Sequence, residues 1–149
     1  HWLGAVSVGA APETPMLAAQ CAALQLLQRH GLQAAALQVL ELHDAFAAQA
    51  LVFAQALGVP LAALNRQGGG LARGHPIGAS GAIALVQALA QLQPGQTGLA
   101  AIAGAGGLGQ CCFSAFGLIN KADTAIAFVI IRPRFLLGWA WPCHRRPSG

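Results

Sequence analysis

The sequence predicts a layered α/β domain with a mixed β-sheet, and three features carry that expectation. Short apolar runs of strand length alternate with longer stretches of helical periodicity. Glycine, present 19 times in 149 residues, and proline punctuate nearly every boundary between them. The last two strand-like runs are separated only by a glycine-rich turn, which makes them antiparallel neighbours. A chain that is 56% hydrophobic and 8% charged has the material for one substantial core.

Residues Leu3 to Val8 are apolar and run into Gly9, Pro12 and Pro15, a strand ending in a loop. From Met16 to His30 a helix is expected, with Leu17, Cys21, Leu24, Leu27 and Gln28 at three-and-four spacing and Gly31 as its stop. Residues 38–42 form a second strand, which delivers His43 and Asp44 at its C-terminal end. A helix from Ala45 to Leu57 follows, closed by Gly58 and Pro60. Next come Asn65 with Gly68, Gly69 and Gly70, and then the loop Gly74-His75-Pro76-Ile77-Gly78-Ala79-Ser80-Gly81, which feeds an apolar helix reaching about Leu92. Gly98 to Ala103 is a strand, Gly104 to Gly109 a turn, and Gln110 to Phe116 the final strand. Periodicity stops after Gly117, so residues 1–117 are assigned to the domain and 118–149 to a tail.

The net charge of +4 belongs to that tail. Within residues 1–117, Arg29, Arg66 and Arg73 balance Glu13, Glu41 and Asp44. The excess comes from Lys121, Arg132, Arg134, Arg145 and Arg146 against Asp123, so no basic face points to a nucleic-acid partner. Cys21, Cys111, Cys112 and Cys143 show no metal spacing and no CxxC pair, which fits a reducing cytoplasm. The apolar run from Thr124 to Ile131 is too short to span a bilayer. The chain begins at His1, which suggests a fragment or a processed product.

Among groups able to do chemistry, His75 stands out, because it lies between glycines and Pro76 in a loop whose backbone can approach a ligand closely. An imidazole there can take a proton from a nucleophile or donate to an oxyanion. Ser80 lacks the second glycine of a nucleophile elbow, since Ala82 occupies that place, and is read as a helix-start residue. The glycine runs match neither a dinucleotide fingerprint nor a Walker loop. His43 and Asp44 have no third metal ligand at helical or hairpin spacing, so no metal is assigned and a catalytic or water-holding role is preferred. Their place at the carboxyl end of a strand is where α/β sheets gather ligands.

These motifs together resemble the thiolases: residues 44–50 (DAFAAQA), Asn65 with Gly68-Gly69-Gly70, residues 74–81 (GHPIGASG), and Gly98-Leu99-Ala100 leading to Gly106-Gly107-Leu108-Gly109. The likeness runs in order from Leu3 to Phe116 and is to the C-terminal half of that family. It implies an αβαβα layered fold of two similar halves, acting on acyl-CoA and CoA as substrates without a further cofactor, by reversible Claisen condensation and thiolysis of 3-oxoacyl-CoA. It further implies that His75 activates a cysteine of the N-terminal half and lines an oxyanion hole, with His43 beside it. His43 stands where many thiolases have asparagine, which points toward degradative branches. Ala45 and Phe46 would line the CoA pocket, and the Ala105 backbone N–H would serve a second oxyanion hole.

One departure limits the inference. Ala103 falls where the family's proton-transferring cysteine belongs, and alanine transfers no proton. Cys111 and Cys112 would lie roughly 25 Å further along an extended strand at about 3.3 Å per residue. The chain alone is therefore expected to be inactive, to need an N-terminal half on the same or another chain, to expose an apolar face, and to form homo-oligomers when complete. The alternative is a non-catalytic thiolase-like module that binds CoA or a partner.

Overall fold

A computed structural model describes residues 2–115, and the tail assigned to 118–149 lies outside them. The elements are β1 (Trp2–Gly9), α1 (Ala18–His30), β2 (Val39–Leu42), α2 (Ala47–Leu57), a one-turn α3 (Gly70–Arg73), α4 (Ser80–Gln91), β3 (Thr97–Gly104) and β4 (Leu108–Ala115). The sheet order is β1-β4-β3-β2. β4 runs antiparallel to both β1 and β3, while β3 and β2 are parallel, so the sheet is mixed.

Helices α1 and α2 cover one face of this sheet and α4 the other, giving two cores. The larger joins Ala22, Leu26, Leu40, Leu42, Phe53, Leu99 and Cys111, and the smaller joins Val39, Ala84, Ala88, Leu92 and Ala100. Gly31 and Gly58 end α1 and α2 in the left-handed conformation, at φ 63° and 67°. A glycine adopts that conformation without a Cβ penalty.

The buried stripe of α1 differs from the expected one. Ala18, Ala19, Ala22, Ala23, Leu26 and Leu27 face inward, while Leu24 is 41% exposed. Close approach explains the choice, because a Cβ at Gly109 of β4 would collide with the Ala18 backbone. Alanines let the helix lie against the strand, and a leucine stripe would hold it off.

β3 turns into β4 through a single turn at Ala105–Gly107, where Gly106 and Gly107 have φ of 74° and 78°. A Cβ on Gly107 would strike the Ala10 carbonyl, and the Ala10 N–H donates to the Gly107 carbonyl at 2.7 Å. This hairpin overturns the expected 25 Å separation of the late cysteines from Ala103. The chain doubles back, so Cys111 pairs with Ala101 and Cys112 with Ala100, placing Cys111 one diagonal step from Ala103. Diagonal cross-strand neighbours lie about 7–8 Å apart.

β2 is buried along its whole length although it ends the sheet order. Leu64 and Asn65 close its edge: Leu64 bridges Leu40, and the Asn65 N–H donates to the Leu40 carbonyl at 2.9 Å. The Asn65 side chain then takes both backbone groups of Leu42, accepting from its N–H at 2.7 Å and donating to its carbonyl at 2.9 Å. The strand end that carries His43 is thereby fixed from both sides. Helix α2 starts two residues later than expected, because Ala45 and Phe46 stay outside it and the Gln49 side chain accepts the Ala45 N–H at 3.2 Å.

On α4, Val86 and Leu89 are 62% and 44% exposed. Among the described residues no helix is long and apolar enough to cross a membrane.

Candidate active site at the carboxyl ends of the parallel strands

His43 leaves β2 with its backbone N–H donated to the Ala101 carbonyl of β3 at 2.9 Å, which sets where its side chain begins. Along β2, Leu40 and Leu42 enter the larger core while Val39 and Glu41 meet α4, and alternation sends His43 to the α4 side. The ring is 3% exposed. It lies so close to Gly70 that a Cβ there would sit 2.8 Å from His43 Nδ1. Asp44, also buried, accepts the Gly70 N–H, and a Cβ on Gly69 would collide with the Asp44 carboxylate and the Asn65 amide. The glycine run at Gly69 and Gly70 makes room for His43, Asp44 and Asn65.

His75 reaches the same place from the loop before α4. Its ring stacks on that of His43, with centroids 4.5 Å apart and planes inclined by 27°. His75 Nδ1 lies 2.8 Å from Ser80 Oγ, and the Ser80 hydroxyl donates to the Pro76 carbonyl at 3.2 Å. Ser80 is 3% exposed, whereas His75 is exposed at the rim. Ser80 begins α4 as expected, and its side chain also contacts the histidine. Its spacing of five residues from His75 gave no signal, since the contact depends on the loop folding back over the helix start.

Burial holds the His43 imidazole below the usual histidine range; His75 and Arg73 add to this, and Asp44 opposes it. His43 is therefore neutral at pH 7. Its Nε2 is buried without a hydrogen-bond partner among the described residues, so this atom is left for a ligand or a water. Below the site, burial raises the carboxyl of Glu41, partly offset by the hydrogen bond that its Oε1 accepts from Gln91 Nε2 at 2.7 Å.

The other site residues expected from the sequence occupy the same end of the sheet but do not join the ring pair. Ala45 and Phe46 lie on the exposed segment before α2, Phe46 being 65% exposed. Ala103, next to last in β3, is half-buried against the larger core, so alternation turns it toward the α1–α2 side while His43 lies on the α4 side. Ala105 is exposed in the turn beyond it. Cys111 is fully buried, and burial pushes its thiol well above the usual range, with Cys112 adding to the shift. Such a thiol is a poor stand-in for a proton-transferring cysteine at Ala103. A separate cleft of about 490 Å³, lined mostly by apolar side chains of α2, α3 and the segment between them, shares Asp44, Asn65 and Gly69 with the supports of the site but includes neither histidine. Among the described residues no group of three or more His, Cys, Asp or Glu side chains could hold a metal ion.

Two stacked imidazoles, one leaving the parallel strand β2 and one from the loop before α4, lie beside glycine loops in a three-layer α/β domain of thiolase-like topology. Comparison with known proteins makes the assignment: the chain belongs to the thiolase family, matching "Thiolase, C-terminal domain" over residues 2–115. It is 37% identical over 103 residues to peroxisomal 3-ketoacyl-CoA thiolase A of Candida tropicalis, covering 69% of this chain and 25% of that protein. The Acat5 thiolase of Ascaris suum, solved in complex with coenzyme A, superposes with a TM-score of 0.73 at 32% identity, covering 75% of this chain and 29% of that one. The dimeric peroxisomal thiolase of Saccharomyces cerevisiae gives a TM-score of 0.72 at 32% identity, again over 75% of this chain and 29% of that one. Its structure is described as five layers built from two core domains of identical topology. The chain thus spans about a quarter to a third of the length of the relatives it matches.

Proposed function

We propose that this domain supplies the histidine half of an acyltransferase site for CoA thioesters, serving Claisen condensation or thiolysis of 3-oxoacyl-CoA. The observation that carries this reading is the His43–His75 stack, with the buried, unpartnered His43 Nε2 at the carboxyl ends of the parallel strands. In that role His75 Nε2 accepts the proton of an attacking thiol from a companion half. The imidazolium so formed donates to the thioester oxygen as negative charge develops there. His43, neutral at pH 7, donates from Nε2 to the same oxygen, directly or through a water. Ala45 and Phe46 offer exposed surface to the CoA moiety, and the Ala105 N–H serves a second oxyanion position. No cofactor is required beyond the thioester substrate itself.

A companion core domain of the topology described for the yeast thiolase would cover the exposed Val86 and Leu89 of α4. The complete protein is expected to form a homo-oligomer, as the dimeric yeast relative does. The cytoplasmic placement rests on the cysteine pattern alone, and the peroxisomal relative shows that the family also works in another compartment.

Ala103 favours a second reading, a thiolase-like module that binds CoA or a partner without turnover. Both readings give the same outcome for the purified chain. Thiolysis of acetoacetyl-CoA, and of a longer 3-oxoacyl-CoA, should not exceed the buffer rate. Turnover that disappears on His75→Ala would overturn the claim that the chain is incomplete.

A further inference from the structure

We infer that Ser80 is a positioning residue for His75: it holds the Nδ1–H of the ring in both of the ring's charge states and so confines proton exchange to Nε2.

The argument is a count of protons. The Ser80 hydroxyl carries one hydrogen, and the Pro76 carbonyl 3.2 Å away is an acceptor within reach of it. That carbonyl has no hydrogen to give, so the assignment of donor and acceptor in this contact is fixed. With that hydrogen given to Pro76, the Ser80 oxygen presents a lone pair to His75 Nδ1, 2.8 Å away, and the proposed assignment puts the hydrogen of that contact on Nδ1. A neutral imidazole protonated at Nδ1 has its free lone pair on Nε2, the form a base needs. When Nε2 takes a proton, Nδ1 keeps its own, and the Ser80 contact persists unchanged. One serine thus serves the ring before and after proton transfer without moving.

The loop gives a reason for such an anchor. His75 lies between Gly74 and Gly78, both at positive φ (82° and 87°), and it is exposed at the rim. Two contacts locate its ring: the stack on His43 and the bond to Ser80. Stacking alone does not distinguish the two nitrogens, because a half-turn of the ring about χ2 leaves the planes parallel. Ser80 makes that distinction. Its own position is secured, since it is 3% exposed at the first turn of α4 and its N–H donates to Pro76 at 3.1 Å. An analogous partner on the second nitrogen sets the tautomer of metal-bound and catalytic histidines generally.

The inference rests on the reading of His75 as the proton-transferring group, and its test reads the ring itself, so that failure of either is seen separately. Long-range proton–nitrogen correlation spectra of the full chain, labelled with ¹⁵N-histidine and assigned by loss of signal in His75→Asn, report the tautomer above neutral pH. The native chain should show His75 protonated at Nδ1 alone. Ser80→Thr, which keeps the hydroxyl, should preserve that pattern, and Ser80→Ala should replace it by an average of both tautomers. An Nε2–H tautomer in the native chain, or an Ser80→Ala spectrum identical to the native one, overturns the inference. Should Ser80→Ala not fold, the native and Ser80→Thr spectra decide: Nδ1 protonated in both supports the role, and Nε2–H in either contradicts it. Absence of thiolysis in any assay of the chain would leave this result standing.

Discussion

At the scale of single residues, the site places one buried and one exposed imidazole face to face, and the buried one makes acid stability diagnostic. Burial holds the folded-state pKa of His43 below its ordinary value of 6.5, while in the unfolded chain it returns to that value. The unfolded state therefore takes up the proton first, and the stability contributed by neutral His43 is full above 6.5 and lost as pH falls toward the folded value. The urea midpoint of the chain should drop between about pH 7.5 and about pH 5.5. His43→Asn, the amide that many thiolases carry there, should flatten that part of the profile; an identical pH slope in the variant would contradict the assignment. Both histidines were legible in the sequence because strand ends and glycine-flanked loops are places where an imidazole has few structural uses. Ser80 and Asn65 were not, since their roles arise from a loop folding back and from a left-handed residue at φ 48°. Neither leaves a periodic trace. Ala103 was legible only through the family likeness, because an alanine at a strand end has no chemistry of its own.

At the scale of elements, punctuation served better than periodicity. Gly31 and Gly58 marked the helix ends, and the order of strands and helices followed from such breaks. The inward face of α1 did not, because hydrophobicity favours the leucines while the approach of Ala18 to Gly109 selects alanines. Overpacking tests this: Ala22, fully buried, should tolerate leucine poorly, and Ala22→Leu should cost about 1–3 kcal/mol in urea unfolding. Leu24→Ala, at a position already 41% exposed, should cost under about 1 kcal/mol. The opposite ranking would show that the leucine stripe is the packed face after all. The β3–β4 hairpin illustrates the same limit, since measuring along an extended strand missed that Gly106 and Gly107 fold Cys111 back beside Ala101.

At the scale of the whole molecule, a domain with helices on both faces of its sheet belongs to a family whose yeast member is built from two core domains of identical topology, and the proposal gives it the histidine side of the site. Val86 and Leu89 lie exposed on α4, the helix that begins at Ser80 beside that site. By the family resemblance, Ala103, the next-to-last residue of β3, stands where a proton-transferring cysteine is expected. The most direct measurement is the thiolysis rate of a complete protein in which residues 2–115 replace the C-terminal domain of the yeast peroxisomal thiolase, compared with and without Ala103→Cys. Restoring the thiol should raise kcat by about 10²–10⁴, the usual reach of general acid–base catalysis, and His75→Ala in the restored protein should remove that gain. A rate unchanged by Ala103→Cys, or a restored rate indifferent to His75→Ala, would contradict the account.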